Sequence, residues 1–141
     1  MIRYAEITDL KIVYALINLL GSDVYTYDQF GKSFAYNLIN NHILLYETNS
    51  EVLGLGVLAI SCPLHHGGRI AEVTELVVSE KARGKGIGQK LLDKMKKIAV
   101  SNNCVGLEVA TSNKRLDAHR FYEREGLAIT HYKFTKKLIL C

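Results

Sequence analysis

Tryptophan is missing from this sequence, proline occurs once, and cysteine occurs three times among 141 residues. Cys62, Cys104 and Cys141 are odd in number and far apart, so they form neither a disulfide framework nor the CxxC spacing of a zinc site. No apolar run reaches the length of a membrane span, and residues 1–6 lack the apolar core of a signal peptide. These absences predict a soluble, cytoplasmic protein that has no membrane partner.

Excess charge of one sign is also scarce. The formal net charge is +4, which is too small to require a polyanion, so we expect no nucleic acid as a partner. A small anionic ligand that is bound locally suits this charge equally well. The length and the globular composition predict a single domain over residues 1–141.

Hydrophobic periodicity predicts an α/β domain with a mixed sheet and about four helices. Thr8 is expected to cap the first helix and Gly21 to end it. A crossover from the strand at 69–78 through the third helix predicts that the strands on either side of that helix are parallel. The expected elements are strands at 2–4, 42–47, 52–61, 69–78 and 105–111, helices at 8–20, 27–40, 89–100 and 117–125, and a strand-like segment at 127–141.

The most informative segment is Arg83-Gly84-Lys85-Gly86-Ile87-Gly88, which lies between a β-branched run and a helical pattern. Glycines let backbone N–H groups approach a ligand closely, and a helix start adds unpaired N–H groups and partial positive charge. Such a segment predicts a cradle for a phosphate or pyrophosphate, the alternative being a tight turn without a ligand. The Walker pattern is absent, and the dinucleotide pattern fails at Leu91, its third glycine position, although Glu108 lies about 20 residues downstream.

A second segment, Ala118-His119-Arg120-Phe121-Tyr122-Glu123-Arg124-Glu125-Gly126, places an alanine and two aromatic residues on one helix face. Alone it would be an amphipathic helix with a core tyrosine. Together, the two segments resemble the GNAT superfamily of N-acetyltransferases. The first is similar to its coenzyme A loop, R/Q-x-x-G-x-G/A, and the second to its A-x-x-F-Y-x-x-x-G helix.

The resemblance implies a GNAT-like acyl-CoA N-acyltransferase fold, with a central twisted mixed sheet flanked by helices. It also implies an enzyme that moves the acetyl group of acetyl-CoA to a primary amine of a small molecule, by direct attack in a ternary complex. The loop would hold the pyrophosphate and the preceding strand would pair with the pantetheine arm. The implied coenzyme-binding residues are Leu76, Val77, Val78, Arg83, Gly84, Lys85, Gly86, Ile87, Gly88, Gln89, Asn113 and Tyr122. For Asn113 the match is weaker, because the usual asparagine position of the family is occupied here by Arg115.

By the same resemblance, Tyr122 is the general acid for the leaving thiolate and a backbone N–H near Val78 stabilises the oxyanion. Glu72 and Glu75 are the candidates for the base. Alternation puts these two carboxylates on opposite faces unless a bulge intervenes, and Glu72, expected to share a face with Leu76, is the first choice. Each carboxylate could instead bind the substrate ammonium or be solvated, and deprotonation through water is a further alternative.

Residues 65–78 and 111–126 look closer to one branch, the aminoalkylphosphonate N-acetyltransferases. A phosphonate dianion needs cationic or hydroxyl partners. The residues that could supply them are His65, His66, Arg69, Lys114, Arg115, Tyr25 and Tyr27. That branch is associated with divalent metal dependence, but no spacing fixes a metal site among the candidate ligands His65, His66, Glu72, Glu75, His119 and His131.

Two other functions stay open. The chain could acetylate a peptide or protein amine, or it could be a coenzyme-A-binding module without catalysis. Residues 127–141 leave room for one long strand or a very tight hairpin, so completion of the sheet in a homodimer is a further hypothesis.

Overall fold

The computed structural model describes residues 1–21 and 25–139 in two compact units, Met1–Val109 and Ala110–Cys141. The first unit carries the sheet and three helices, and the second carries the last helix. No helix in the described ranges is both long enough and apolar enough to cross a membrane.

The sheet has five strands in the order β1-β2-β3-β4-β5. The first four strands pair antiparallel, and β4 pairs with β5 in parallel. The α/β class, the mixed sheet and the parallel crossover pair are therefore confirmed. The strands are β1 (Ile2–Tyr4), β2 (His42–Thr48), β3 (Glu51–Ser61), β4 (Arg69–Val78) and β5 (Cys104–Val109), and the helices are α1 (Leu10–Asn18), α2 (Tyr27–Asn40), α3 (Ile87–Ser101) and α4 (Leu116–Arg124).

The start of α1 differs from the prediction. A 3₁₀ turn, Ile7–Asp9, precedes the helix, so Thr8 lies inside the turn and caps nothing. The Glu6 backbone N–H donates to the Asp9 carboxylate at 2.7 Å, and this carboxylate also accepts two 2.9 Å hydrogen bonds from Arg3. The Arg3 guanidinium lowers the pKa of Asp9, because it stabilises the charged carboxylate. The Asp9 side chain, which is held by Arg3, thus takes the place that was expected for a Thr8 cap.

The two faces of β3 contact different helices. Gly54 and Gly56 face α3, since a Cβ at either position would lie within 3.0 Å of an α3 side chain. Leu55 and Val57 face the other way, into a buried cluster with α1 and α2. The buried members of that cluster are Val13, Leu16, Phe34, Ile43, Leu45, Leu55, Val57 and Val77. The sheet is therefore covered by helices on both faces.

The prediction of a C-terminal strand is wrong for the part of the tail that the structure describes. Residues 127–139 are assigned to no strand, and Cys141 lies outside the described residues. The apolar side chains that suggested a strand are exposed, namely Ile129, Tyr132, Phe134, Leu138 and Ile139. Alternation of apolar and polar residues indicates which side chains would share a face of a strand. A strand forms only where its backbone finds a hydrogen-bonding partner.

Gly54 allows α3 to approach the sheet, and we expect Gly54→Ala to destabilise the protein. The added Cβ would lie 2.8 Å from Cγ2 of Ile87 and 3.1 Å from Cδ1 of Leu91, both buried. Overpacking of this kind costs about 1–3 kcal/mol of unfolding free energy. Urea unfolding measures the loss.

Gly31→Ala in α2 is the matched control, because its nearest neighbour would be Cδ2 of Leu10 at 3.9 Å. This variant should gain up to about 1 kcal/mol from helix propensity. Equal stabilisation by both substitutions would refute the close approach of α3 at Gly54.

Candidate active site

A bulge in β4 determines which way its carboxylates point. Val57 of β3 pairs with Glu75, but the next residue, Leu58, pairs with Val73, so Thr74 is an extra residue on β4. Such an insertion leaves one residue without an opposite partner and reverses the alternation beyond it. The strand therefore contains the bulge that alternation alone could not predict.

Because of this bulge, Glu72 and Glu75 lie on the same face of the sheet. Glu72 pairs with Ala59 and Glu75 pairs with Val57, and these two β3 residues are separated by one position. The expectation that Glu72 shares a face with Leu76 is therefore wrong, since Leu76 pairs with Gly56 on the face towards α3. Both carboxylates instead face the side covered by α1 and α2.

Thr74 also holds the Glu75 side chain. Its hydroxyl donates to Oε2 of Glu75 at 2.5 Å and lies 3.4 Å from the carbonyl oxygen of Val57. Consecutive side chains on a regular strand point to opposite faces and do not meet in this way. The bulge thus both turns Glu75 towards the helices and provides it with a hydrogen-bond donor.

A cavity of about 250 Å³ lies between α1, α2 and the sheet. Among the lining residues that the structure describes, Glu75 is the one charged side chain, and Glu72 is not one of them. The remaining lining is apolar or aromatic, with three uncharged polar residues on α2. The full lining is Val13, Ile17, Tyr25, Gln29, Phe30, Ser33, Phe34, Asn37, Ile43, Val57 and Glu75.

The sequence analysis did not identify the α2 face of this cavity as part of a site. Phe30 and Phe34 do pack there, but Gln29, Ser33 and Asn37 follow the same four-residue spacing one position earlier. Repetition of polar residues beside a buried aromatic stripe was the available signal of a cavity-lining face. Aromatic contacts also hold α1 against α2, since the ring centroids of Tyr14 and Tyr27 lie 4.9 Å apart.

The glycine loop has the backbone conformation that its glycines predict. Gly84 and Gly86 have φ values of +79° and +77°, and no heavy atom lies within 4 Å of the position of a Cβ at either residue. Gly86 precedes α3 without a side-chain cap, and the first helical hydrogen bond runs from the Lys90 N–H to the Gly86 carbonyl at 3.1 Å. The N–H groups of the first turn are therefore available to an anion.

Arg83 and Lys85 differ in what they contact. The Arg83 guanidinium donates from Nε to the carbonyl oxygen of Val78 at 3.4 Å, which ties the loop to the end of β4. Lys85 is exposed in the loop. The loop therefore presents positive charge as well as backbone N–H groups.

The parallel pair separates before β4 ends. The last pair between β4 and β5 is Val73 with Val109, whereas β4 continues to Val78. Leu76, Val77 and Val78 thus lie beyond the ladder with β5. An unpaired strand edge of this kind can accept an extended chain that carries amides.

The second unit contains Tyr122 on α4. Burial raises the pKa of the Tyr122 phenol, and the positive charge of Arg115 opposes this shift. Its ring meets that of Phe121 edge to face, with centroids 5.2 Å apart. Asn113 is exposed in the turn before α4, where the Ser112 carbonyl accepts from the Arg115 N–H at 3.1 Å.

The histidines have local partners. The rings of His65 and His66 are 4.3 Å apart, and Nε2 of His66 lies 3.6 Å from Oε2 of Glu108. Nε2 of His119 lies 2.8 Å from the Ser112 carbonyl oxygen, and Nδ1 of His131 lies 2.6 Å from the Thr130 hydroxyl oxygen. Among residues 1–21 and 25–139, no group of three or more histidine, cysteine, aspartate or glutamate side chains could hold a metal ion. The candidate ligands do not fit a metal site, and no step is derived through one.

The glycine loop at the start of α3 and the separated parallel strands are the arrangement expected from the resemblance to the GNAT superfamily. Residues 13–127 match the model of the Acetyltransferase (GNAT) family. The chain belongs to this family and is an acetyl-CoA-dependent N-acetyltransferase. The predicted fold and enzyme class are therefore confirmed.

Individual proteins resemble the chain to different degrees. It is 41% identical over 139 residues to the aminoalkylphosphonate N-acetyltransferase of Salmonella typhimurium strain LT2, covering 97% of this chain and 90% of that protein. The structure superposes on a transcriptional regulator from Bacillus halodurans C-125 with a TM-score of 0.87 and 24% identity, over 98% of this chain and 99% of that one.

A ribosomal-protein-alanine N-acetyltransferase from Brucella melitensis biovar Abortus 2308 gives a TM-score of 0.81 at 17% identity, over 98% of this chain and 99% of that one. At these identities the two structures support the fold alone.

Proposed function

We propose that this enzyme acetylates the primary amine of a small molecule and that an aminoalkylphosphonate is its acceptor. The observation that carries the amine is Glu75, the one carboxylate among the described residues that line the cavity beside β4. A carboxylate there favours a cationic ammonium over an anionic or neutral acceptor. The phosphonate rests on the similarity to the Salmonella protein, which is an aminoalkylphosphonate N-acetyltransferase.

The reaction requires one proton transfer at the amine and one at the leaving thiolate. The amine nitrogen forms a bond to the acetyl carbonyl carbon while the carbon–sulfur bond breaks, the amine loses a proton, and the thiolate gains one. Glu75 is proposed to hold the ammonium and to accept its proton, directly or through water. Glu72, our first choice from the sequence, is the second candidate, because it shares the face but does not line the cavity.

Acetyl-CoA is proposed to lie along the end of β4 and the start of α3. The N–H groups from Arg83 to Gln89 would hold the pyrophosphate, and the exposed Lys85 would add positive charge. The backbone of Leu76, Val77 and Val78 would pair with the pantetheine amides, and an N–H near Val78 would donate to the oxyanion. A contact from Asn113 to the pantetheine arm stays a prediction.

Tyr122 is proposed as the general acid for the leaving thiolate. Support comes from its phenol, whose raised pKa keeps the proton on the oxygen at neutral pH. The cytoplasmic location, the homodimer and the phosphonate partners among His65, His66, Arg69, Lys114, Arg115 and the two tyrosines also stay predictions.

The function is tested by mixing the purified protein with acetyl-CoA and a panel of amines, and by following the release of free thiol. Turnover with 2-aminoethylphosphonate and other small primary amines is expected. Turnover with peptides alone would favour a peptide N-acetyltransferase. Coenzyme A binding without turnover on any amine would favour the non-catalytic module.

Gly86→Ala should weaken the binding of coenzyme A about tenfold or more, because a strained helix start would misplace N–H groups that meet the pyrophosphate. Gly67→Ala is the matched control, since Gly67 also has a positive φ (+64°) and open space around a Cβ. Both variants should lose about 1–2 kcal/mol of stability from the left-handed backbone. Titration calorimetry measures the affinity, and equal affinities in both variants would exclude the loop as the binding site.

Glu75→Gln should lower kcat/KM for the amine by about 10²–10⁴, the usual contribution of a general base. Glu72→Gln, a carboxylate on the same face outside the cavity lining, should stay within about threefold of the wild type. Initial rates over a range of amine concentrations give both values. The reverse order of effects would transfer the role of base to Glu72.

Tyr122→Phe should lower kcat by about 10²–10⁴. Because the pKa of the phenol is raised, the wild-type enzyme should hold its acid proton throughout neutral and mildly alkaline pH, and lose activity from this group only above the ordinary tyrosine range. Thiol release between pH 6 and pH about 9.5 tests this range. An unchanged rate in the variant at every pH would remove Tyr122 from the mechanism.

A further inference from the structure

The cavity between α1, α2 and β4 offers no cationic partner among the residues that the structure describes. Its described lining includes one carboxylate, Glu75, and no lysine, arginine or histidine. Desolvating an anion without a cationic partner costs several kcal/mol. The apolar inner wall therefore disfavours a phosphonate dianion, although the ammonium group of the same acceptor can meet Glu75.

The apolar part of the lining forms the inner wall. Val13, Phe34, Ile43 and Val57 are each at most 5% exposed and belong to the buried cluster beneath α1 and α2. Phe30 contributes a further ring, stacked on that of Phe34 with centroids 6.4 Å apart. A group that enters the cavity thus exchanges water for aromatic and branched aliphatic surface.

Two of the polar residues of the lining, Gln29 and Asn37, already have hydrogen bonds to α2 or to the residues at its ends. The Gln29 side-chain oxygen accepts from the Thr26 N–H at 2.8 Å. Asn37 donates to the Ser33 carbonyl at 2.9 Å and accepts from Asn41 at 2.7 Å. Since these groups are bonded to the helix itself, they do not require a polar ligand.

The volume is sufficient for a ring. An apolar cavity of about 150 Å³ holds a benzene molecule, and this cavity measures about 250 Å³. Burial of a phenyl ring of this size typically gives about tenfold to a hundredfold in affinity.

We infer that this cavity is a specificity pocket for an apolar side chain, aromatic or branched, on the amine-bearing acceptor. The inference rests on the proposed function and deepens it. The acceptor places its ammonium at Glu75 and its side chain against Phe30 and Phe34, while any anionic group stays outside the cavity. The preferred acceptor is therefore a primary amine whose amine-bearing carbon also carries a bulky apolar group.

The test uses three acceptors that differ by one group each. Aminomethylphosphonate has no side chain, 1-amino-2-phenylethylphosphonate adds the benzyl group, and 2-phenylethylamine keeps that group without the phosphonate. We expect kcat/KM for the second acceptor to exceed that for the first by about tenfold or more. The third acceptor reports separately on the phosphonate in the proposed function.

Two α2 variants test whether the preference originates in the cavity. Ser33→Phe places a ring at a lining position, whereas Ala35→Phe adds the same ring at an exposed position of α2 outside the lining. The first should abolish the advantage of the benzyl group, so that kcat/KM for the benzyl analogue no longer exceeds that for aminomethylphosphonate. The second should leave the ratio of these two values unchanged, and thermal unfolding of both variants checks that they fold.

The outcomes separate the two proposals. If aminomethylphosphonate and its benzyl analogue react equally, or if the advantage survives Ser33→Phe, the specificity pocket is refuted while the acetyltransferase function stands. If no amine is acetylated although coenzyme A binds, the proposed function fails and the pocket inference fails with it. A benzyl preference that Ser33→Phe removes and Ala35→Phe retains supports the inference.

Discussion

The extra residue Thr74 in β4 is the constraint on which the candidate site depends. Without it, Glu75 would follow the alternation set by Val73 and face α3. With it, Glu75 turns into the cavity beside α1 and α2, and the Thr74 hydroxyl holds the carboxylate in that position. A single inserted residue therefore decides which of the two helical layers the Glu75 carboxylate faces.

The two sides of β4 differ because its neighbours in the structure differ on each side. Towards α3, the small residues Gly54 and Gly56 of β3 let the helix approach the sheet, so its N-terminal turn and the glycine loop lie close to the end of β4. Towards α1 and α2, larger side chains leave a cavity beside Glu75. Separation of β4 from β5 after Val73 leaves the strand edge between these two regions unpaired.

Much of the fold could be predicted from local patterns. The boundaries of α2 and β4 match the expected ones, since the Thr26–Gln29 capping box and a β-branched run are local signals. The glycine loop could also be predicted, because positive φ values and a helix start depend on neighbouring residues. Prediction failed at Thr8, where the distant Arg3 supports Asp9, and at residues 127–139, where a strand would need a partner.

The α/β class, the family and the conformation of the glycine loop could be read from the sequence, because each is encoded by short segments whose residues interact with their neighbours. Which of Glu72 and Glu75 lines the cavity depends instead on contacts between distant segments. A bulge arises from the register between two strands, and the register depends on how β3 packs between its helices rather than on the residues of β4 alone. The cavity likewise results from two helices and three strands meeting, which no single segment specifies.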